Sequence, residues 1–143
     1  LDPTSDFLYA TATQQNGELK LQFKHLFAFF KVTIRTELLN DSWGIHVRSD
    51  ETIAYYKEMS TPSYDFKGDS IKGTPERGLW YNIPEDMKKG KETITCYIAV
   101  LPTSEKNVIS FHRWETDGYT TGIFEKKAPE GGFKAGHIYE LVY

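Results

Sequence analysis

The stretch from Leu19 to Leu39, LKLQFKHLFAFFKVTIRTELL, constrains the fold of this chain most. Leu19, Leu21 and Phe23 alternate with Lys20, Gln22 and Lys24, the period-two pattern of a half-buried β-strand. Beyond Leu26 the phase inverts, and Ala28, Phe30, Val32 and Ile34 alternate with Lys31, Thr33 and Arg35. A one-residue slip sends every side chain of a strand to the opposite face, so a straight strand cannot carry both phases. The inversion predicts a bulge or bend between His25 and Phe29, where one long strand passes from one sheet of a sandwich to the other. On this reading Phe23 and Phe30 are both buried although their parities differ. His25 is a core residue at the kink, hydrogen-bonded to a backbone group that the bend frees, and it holds neither metal nor substrate.

The remainder of the chain reads as short strands between turns. DFLYATAT is a short strand in which Phe7 and Tyr9 alternate with Asp6 and Leu8, and Asn16-Gly17 turns it into the long run as a hairpin. Asn40-Asp41-Ser42 is a turn. In Trp43 to Arg48, alternation places Trp43, Ile45 and Val47 on one face and His46 and Arg48 on the other. Thr52 to Glu58 reads as a further strand. Residues 60–78, with two prolines, three glycines and many charges, are loop or short edge strands. Leu79 to Ile83 is a strand stopped by Pro84, and the polar turn after it has room for one helical turn. Thr93 to Leu101 is a core strand with Ile94, Cys96, Ile98 and Val100 on one face. Val108 to Trp114 and Tyr119 to Lys126 form a hairpin around Asp117-Gly118. Phe133 to Tyr143 closes the chain as a strand. With no helix of ordinary length and no βαβ spacing, the fold class is all-β: a two-sheet antiparallel sandwich of about seven strands in one domain spanning residues 1–143.

Composition narrows the function. A net charge of −3 with lysines and arginines dispersed among carboxylates argues against nucleic-acid binding. No apolar run approaches the roughly 20 residues of a membrane-spanning helix. Cys96 is the only cysteine, so neither an internal disulfide nor a cysteine metal cluster is possible. The chain starts at Leu1 without a signal-peptide pattern, and a trimmed form is expected.

Catalytic signals are weak. Glu115 and Asp117 flank a hairpin turn, and turn geometry alone accounts for Asp before Gly. No nucleophile elbow and no phosphate-cradling loop is present. His46, His112 and His137 lie on separate strands without metal-ligand spacing. Calcium is not expected at Asp65 and Asp69, which lack a loop-type ligand spacing. No catalytic residue, cofactor or metal is expected, and the chain is not expected to be an enzyme.

Two binding surfaces remain. The closing strand is apolar on both parities, with Ile138 and Val142 on one face and Tyr139 and Leu141 on the other. It is therefore either central in its sheet or paired with a partner, and His137 to Tyr143 is the candidate assembly strand. Aromatics make up 15% of residues, and Trp80, Tyr81, Trp114 and Tyr119 lie beside turns. Exposed rings there would stack on sugars, which makes a carbohydrate-binding module the alternative function.

The order of these motifs resembles the bacterial fimbrillin-like proteins. The resemblance rests on Asp6, Phe7, Leu8, Tyr9 and Ala10, followed by Leu21, Phe23, His25, Val32 and Ile34. CYIAVLP and the closing Gly132 to Tyr143 segment extend it, with His137 where the family has Lys. The resemblance implies a pair of transthyretin-like, Greek-key sandwich domains, of which this chain is mainly the C-terminal one and residues 1–18 a linker or leading strand. It also implies a secreted lipoprotein on the outer membrane or fimbrium of a Gram-negative bacterium, reaching the membrane only through a lipid anchor absent from this chain. Such subunits serve as stalk, tip or anchor of a fimbria, assemble by strand exchange, and meet other fimbrial subunits or host surface proteins and glycans.

Overall fold

The computed structural model describes residues 8–56, 63–65 and 70–143. Phe7, the end of the expected 52–58 strand, and residues 60–62 and 66–69 of the 60–78 loop lie outside the described residues. Asp6 and Asp69 do as well.

The described residues form thirteen strands. They are β1 (Leu8–Gln15), β2 (Glu18–His25), β3 (Ala28–Arg35), β4 (Ser42–Ser49), β5 (Ala54–Tyr56), β6 (Ser63–Asp65), β7 (Ser70–Lys72), β8 (Thr74–Glu76), β9 (Gly78–Asn82), β10 (Thr93–Val100), β11 (Val108–Glu115), β12 (Thr120–Lys127) and β13 (Ile138–Val142). A 3-10 turn spans Thr36–Leu39, and one helical turn, α1, spans Glu85–Lys88. The sandwich proper has seven strands. A three-stranded sheet runs β10-β3-β13 and a four-stranded sheet runs β12-β11-β4-β9. Three two-stranded ribbons, β1-β2, β5-β8 and β6-β7, complete the set. The fold is thus an all-β sandwich, with one departure from full antiparallel order: β13 pairs with β3 in parallel, Ile138 opposite Phe29 and Val142 opposite Thr33.

One core lies between the two sheets. From β3 it takes Ala28, Phe30, Val32 and Ile34, and from β10 Ile94, Cys96, Ile98 and Val100. These are the even positions that alternation predicted for both strands. Opposite them stand Ile45 and Val47 of β4, Leu79 and Tyr81 of β9, and Ile109 and Phe111 of β11. Phe30 is the bridge between layers, meeting Phe111 edge-to-face at 5.6 Å and Phe133 at 4.8 Å. Such perpendicular ring pairs add to the area term, and truncating a buried Phe costs about 3–5 kcal/mol. Burial pushes the Cys96 thiol up to about 12, so it stays protonated.

The long apolar run does break where the phase inverts. β2 ends at His25, Leu26 and Phe27 leave the strand, and β3 begins at Ala28. What changes is not the sheet of a sandwich but the environment. β2 pairs only with β1, in register from Leu8↔His25 to Gln15↔Glu18 around an Asn16-Gly17 turn with positive φ at both residues. Every residue of β2 is exposed. Phe30 is fully buried as expected, whereas Phe23 is 63% exposed. The alternation of β2 marks an amphipathic ribbon, and among the described residues no layer covers its apolar face of Leu8, Ala10, Ala12, Leu19, Leu21 and Phe23. His25 stands at the break but is exposed rather than a core residue. Its ring rests over Gly136, where an added Cβ would come within 3.0 Å of His25 Cδ2.

Candidate functional site

The outer face of the four-stranded sheet is built by β4, β9, β11 and β12 standing side by side. Cross-strand register puts His46 opposite both Trp80 on β9 and His112 on β11. Side chains directly opposite in a sheet share a face. Trp114 belongs to the same face two residues beyond His112. Trp43 joins it through an irregularity. The pairing of β11 with β4 shifts between Trp114 and Glu115, against Gly44 and Ser42. This bulge turns Trp43 away from the core side, where simple alternation with Ile45 and Val47 had placed it.

The bulge has chemical supports. Gly44 has φ +154, and a Cβ there would fall 2.0 Å from the Tyr81 carbonyl oxygen, so no other residue fits this close approach of β4 to β9. Ser42 Oγ donates to the Leu39 carbonyl at 2.7 Å. Lys88 of α1, itself buried, donates to the Ser42 carbonyl at 2.9 Å and pairs with Glu85 at 2.8 Å.

All three tryptophans of the chain therefore meet on one surface. Trp43 packs edge-to-face on Trp114 at 5.0 Å, and Trp114 meets Trp80 at 4.6 Å. His46 stacks on Trp80 at 3.6 Å with rings 6° from parallel, and the His112 ring lies 6.3 Å further on. Trp43 and Trp80 remain 46% and 43% exposed.

Polar groups border the rings. Arg48 Nε donates to His46 Nδ1 at 3.2 Å, and Arg48 Nη2 donates to Thr120 Oγ1 at 3.0 Å. A nitrogen that accepts from a guanidinium carries no proton, so His46 is the neutral imidazole. Its burial is the first cause, followed by the charges of Arg48 and His112, and together they push its pKa down to about 4. His112 is pushed down as well, chiefly by burial and then by Arg48, against an opposing pull from Glu125. His112 Nε2 and Ser110 Oγ share a hydrogen bond of 3.0 Å.

Of the four aromatic residues singled out for glycan contact, Trp80 and Trp114 are together on this face. Tyr81 is not: it follows Trp80 in β9, points the opposite way and lies in the core at 9% exposure. Tyr119 is 75% exposed in the β11–β12 turn, where its amide donates to Asp117 Oδ1 at 3.0 Å. Glu115 accepts from Arg113 Nε at 2.6 Å. The two carboxylates thus have partners that turn and strand supply. Sequence spacing missed Trp43, His46 and His112 as members of one cluster, because neither a bulge nor a cross-strand register is visible along a single chain. Among the described residues, no three His, Cys, Asp or Glu side chains are grouped to hold a metal. His137 lies apart from His46 and His112, at the entry to β13.

The second surface is β13 itself. It is an edge strand, not a central one, and pairs with β3 alone among the described residues. Phe29 N–H donates to the His137 carbonyl at 2.9 Å. Tyr143 N–H donates to the Thr33 carbonyl, and Arg35 N–H to that of Tyr143, both at 2.8 Å. Odd residues thus bond inward, and strand geometry aims the N–H and C=O of Ile138, Glu140 and Val142 toward the open side. Leu141 is buried and Tyr139 half-buried, while Ile138 and Val142 are 61% and 75% exposed. Tyr143 stacks on Phe124 of β12 at 3.4 Å, fastening the strand end to the other sheet.

No family model, curated protein or solved structure matches this chain.

Proposed function

We propose that the chain is a structural or adhesive subunit of a bacterial surface fimbria, fimbrillin-like, that joins its neighbours by strand addition at the open side of β13. The observation that carries this reading is an edge strand with three outward backbone positions and two exposed apolar side chains, Ile138 and Val142. An open edge of this kind templates a further strand, and exposed apolar side chains give the added strand something to pack on. The exposed apolar face of the β1-β2 ribbon supports the same reading, since contiguous exposed apolar side chains mark interaction sites. Attachment to the outer membrane through a lipid on another part of the protein belongs to the proposal. The reading requires no catalytic chemistry.

Glu140→Pro tests it. Position 140 bonds outward, so proline there removes a donor from the open edge and leaves the β3 ladder intact. The exposed Lys31–Glu140 ion pair at 2.7 Å is lost with it, which matters little to folding. The expected result is a folded monomer, with the thermal midpoint of the parent within a few degrees, that no longer enters assemblies in a mixed-subunit polymerisation assay. Normal incorporation of a folded Glu140→Pro subunit would remove β13 from the assembly contact.

A further inference from the structure

We propose that the Trp43–Trp114–Trp80 face is a binding site for the pyranose rings of a neutral glycan. The inference is independent of strand addition at β13, which lies in the other sheet.

The first observation is concentration. The chain has three tryptophans, and all three touch in one cluster on the outer face of one sheet. Core packing does not require this, because the face opposite is filled by Ile45, Val47, Leu79, Tyr81, Ile109 and Phe111. Two of the indoles keep nearly half their surface in water. Their π-faces carry negative charge density, and the C–H groups on the flat side of a pyranose carry the complementary positive polarisation.

The second observation is the size of the patch. An indole buries at most about 150–250 Å², and less than half of each exposed ring is accessible here. Both together supply far less than the roughly 800 Å² per partner of a stable protein–protein interface. The surface suits a small rigid ligand better than a second copy of the chain.

The third observation is charge. Register places Ser110 between Arg48 on β4 and Glu125 on β12. One cation and one carboxylate therefore lie on the same face, both close enough to act on His112, which favours a neutral ligand over an acidic one. Hydroxyl groups of a sugar are both donors and acceptors. Arg48, Glu125, His112 and Ser110 offer both roles on the same sheet face, along β4, β11 and β12. The stack of His46 on Trp80 and the fixed bulge at Gly44 hold the two indoles in place before any ligand arrives, which lowers the ordering cost of binding.

Intrinsic fluorescence reads this site directly, because every tryptophan of the chain is in it. The experiment titrates the purified protein with lactose, cellotetraose and an N-acetyllactosamine tetrasaccharide, alongside an array of neutral and sialylated glycans. The expected result is a saturable change in tryptophan emission and array binding confined to neutral glycans. Binding weakens about tenfold or more in Trp43→Ala and in Trp80→Ala, and is unchanged in Tyr119→Ala. Circular dichroism confirms that each variant is folded. Should a variant misfold, Arg48→Gln and Ser110→Ala, which leave the rings in place, are expected to lower affinity as well. The proposal is overturned if no neutral glycan binds at millimolar concentration, if only acidic glycans bind, or if binding survives in the folded Trp43→Ala/Trp80→Ala double variant.

Discussion

Gly44 and Ser42 bracket the residue on which the outer face depends. Trp43 has the sequence position of a core residue and the location of a surface one, because the bulge inserts an extra residue into β4 and reverses parity on its N-terminal side. The rest of β4 kept the parity that alternation gives: Ile45 and Val47 are fully buried, and His46 and Arg48 share the outer face. Alternation is a local signal and was legible. The bulge lies in the pairing of β4 with β11, a long-range register that no run of letters encodes. His46 carries the clearest consequence at this scale. In the unfolded chain it titrates near 6.5, and in the folded protein it stays neutral down to about 4. Between those values the unfolded state binds more protons, so stability falls as pH falls from about 6.5 to 4, by up to about 1.4 kcal/mol per pH unit for this group. Arg48, His112 and, beyond it, Glu125 are the charged or titratable groups facing it from neighbouring strands. Urea denaturation at pH 7 and pH 5 is expected to show a smaller loss in His46→Gln than in the parent. Equal losses would mean that His46 is protonated in the folded state.

The β1-β2 ribbon shows what periodicity can and cannot say at the level of an element. Leu19, Leu21 and Phe23 alternate as a half-buried strand does, and they do form a strand with one apolar face. Whether anything covers that face depends on what lies beside it, and alternation carries no information on that. The break at Leu26 and Phe27 was legible for the opposite reason: two incompatible phases within one run require a discontinuity wherever the chain goes next. A two-stranded ribbon alone is marginal in water, and this one draws its order from the Asn16-Gly17 turn and its fusion to β3. Phe23→Ser is accordingly expected to shift the thermal midpoint by less than about 3 °C, since exposed substitutions stay within about 0.5 kcal/mol. The same change is expected to lower the fluorescence of a bound apolar dye. A midpoint loss on the scale of a core Phe deletion would show that the ribbon face packs against the sandwich in solution.

For the whole molecule, the fold class was written in the spacing of turns, and the seven-strand sandwich around Phe30 agrees with it. The parallel partnership of β13 with β3 was not legible, because a strand's neighbours and direction follow from topology and not from its own residues. Apolar side chains on both parities of β13 suggested a central strand or a paired one. The structure places it at an edge, with Tyr139 and Leu141 turned inward and Ile138 and Val142 left outside. Among the described residues the outer side of β13 has no strand beside it, and we propose that another polypeptide pairs there. Hydrogen–deuterium exchange of the backbone amides of Ile138, Glu140 and Val142 tests it most directly. Rapid exchange in the isolated subunit and strong protection after assembly is the expected result; assembled subunits whose three amides still exchange at the isolated rate would contradict strand addition at β13.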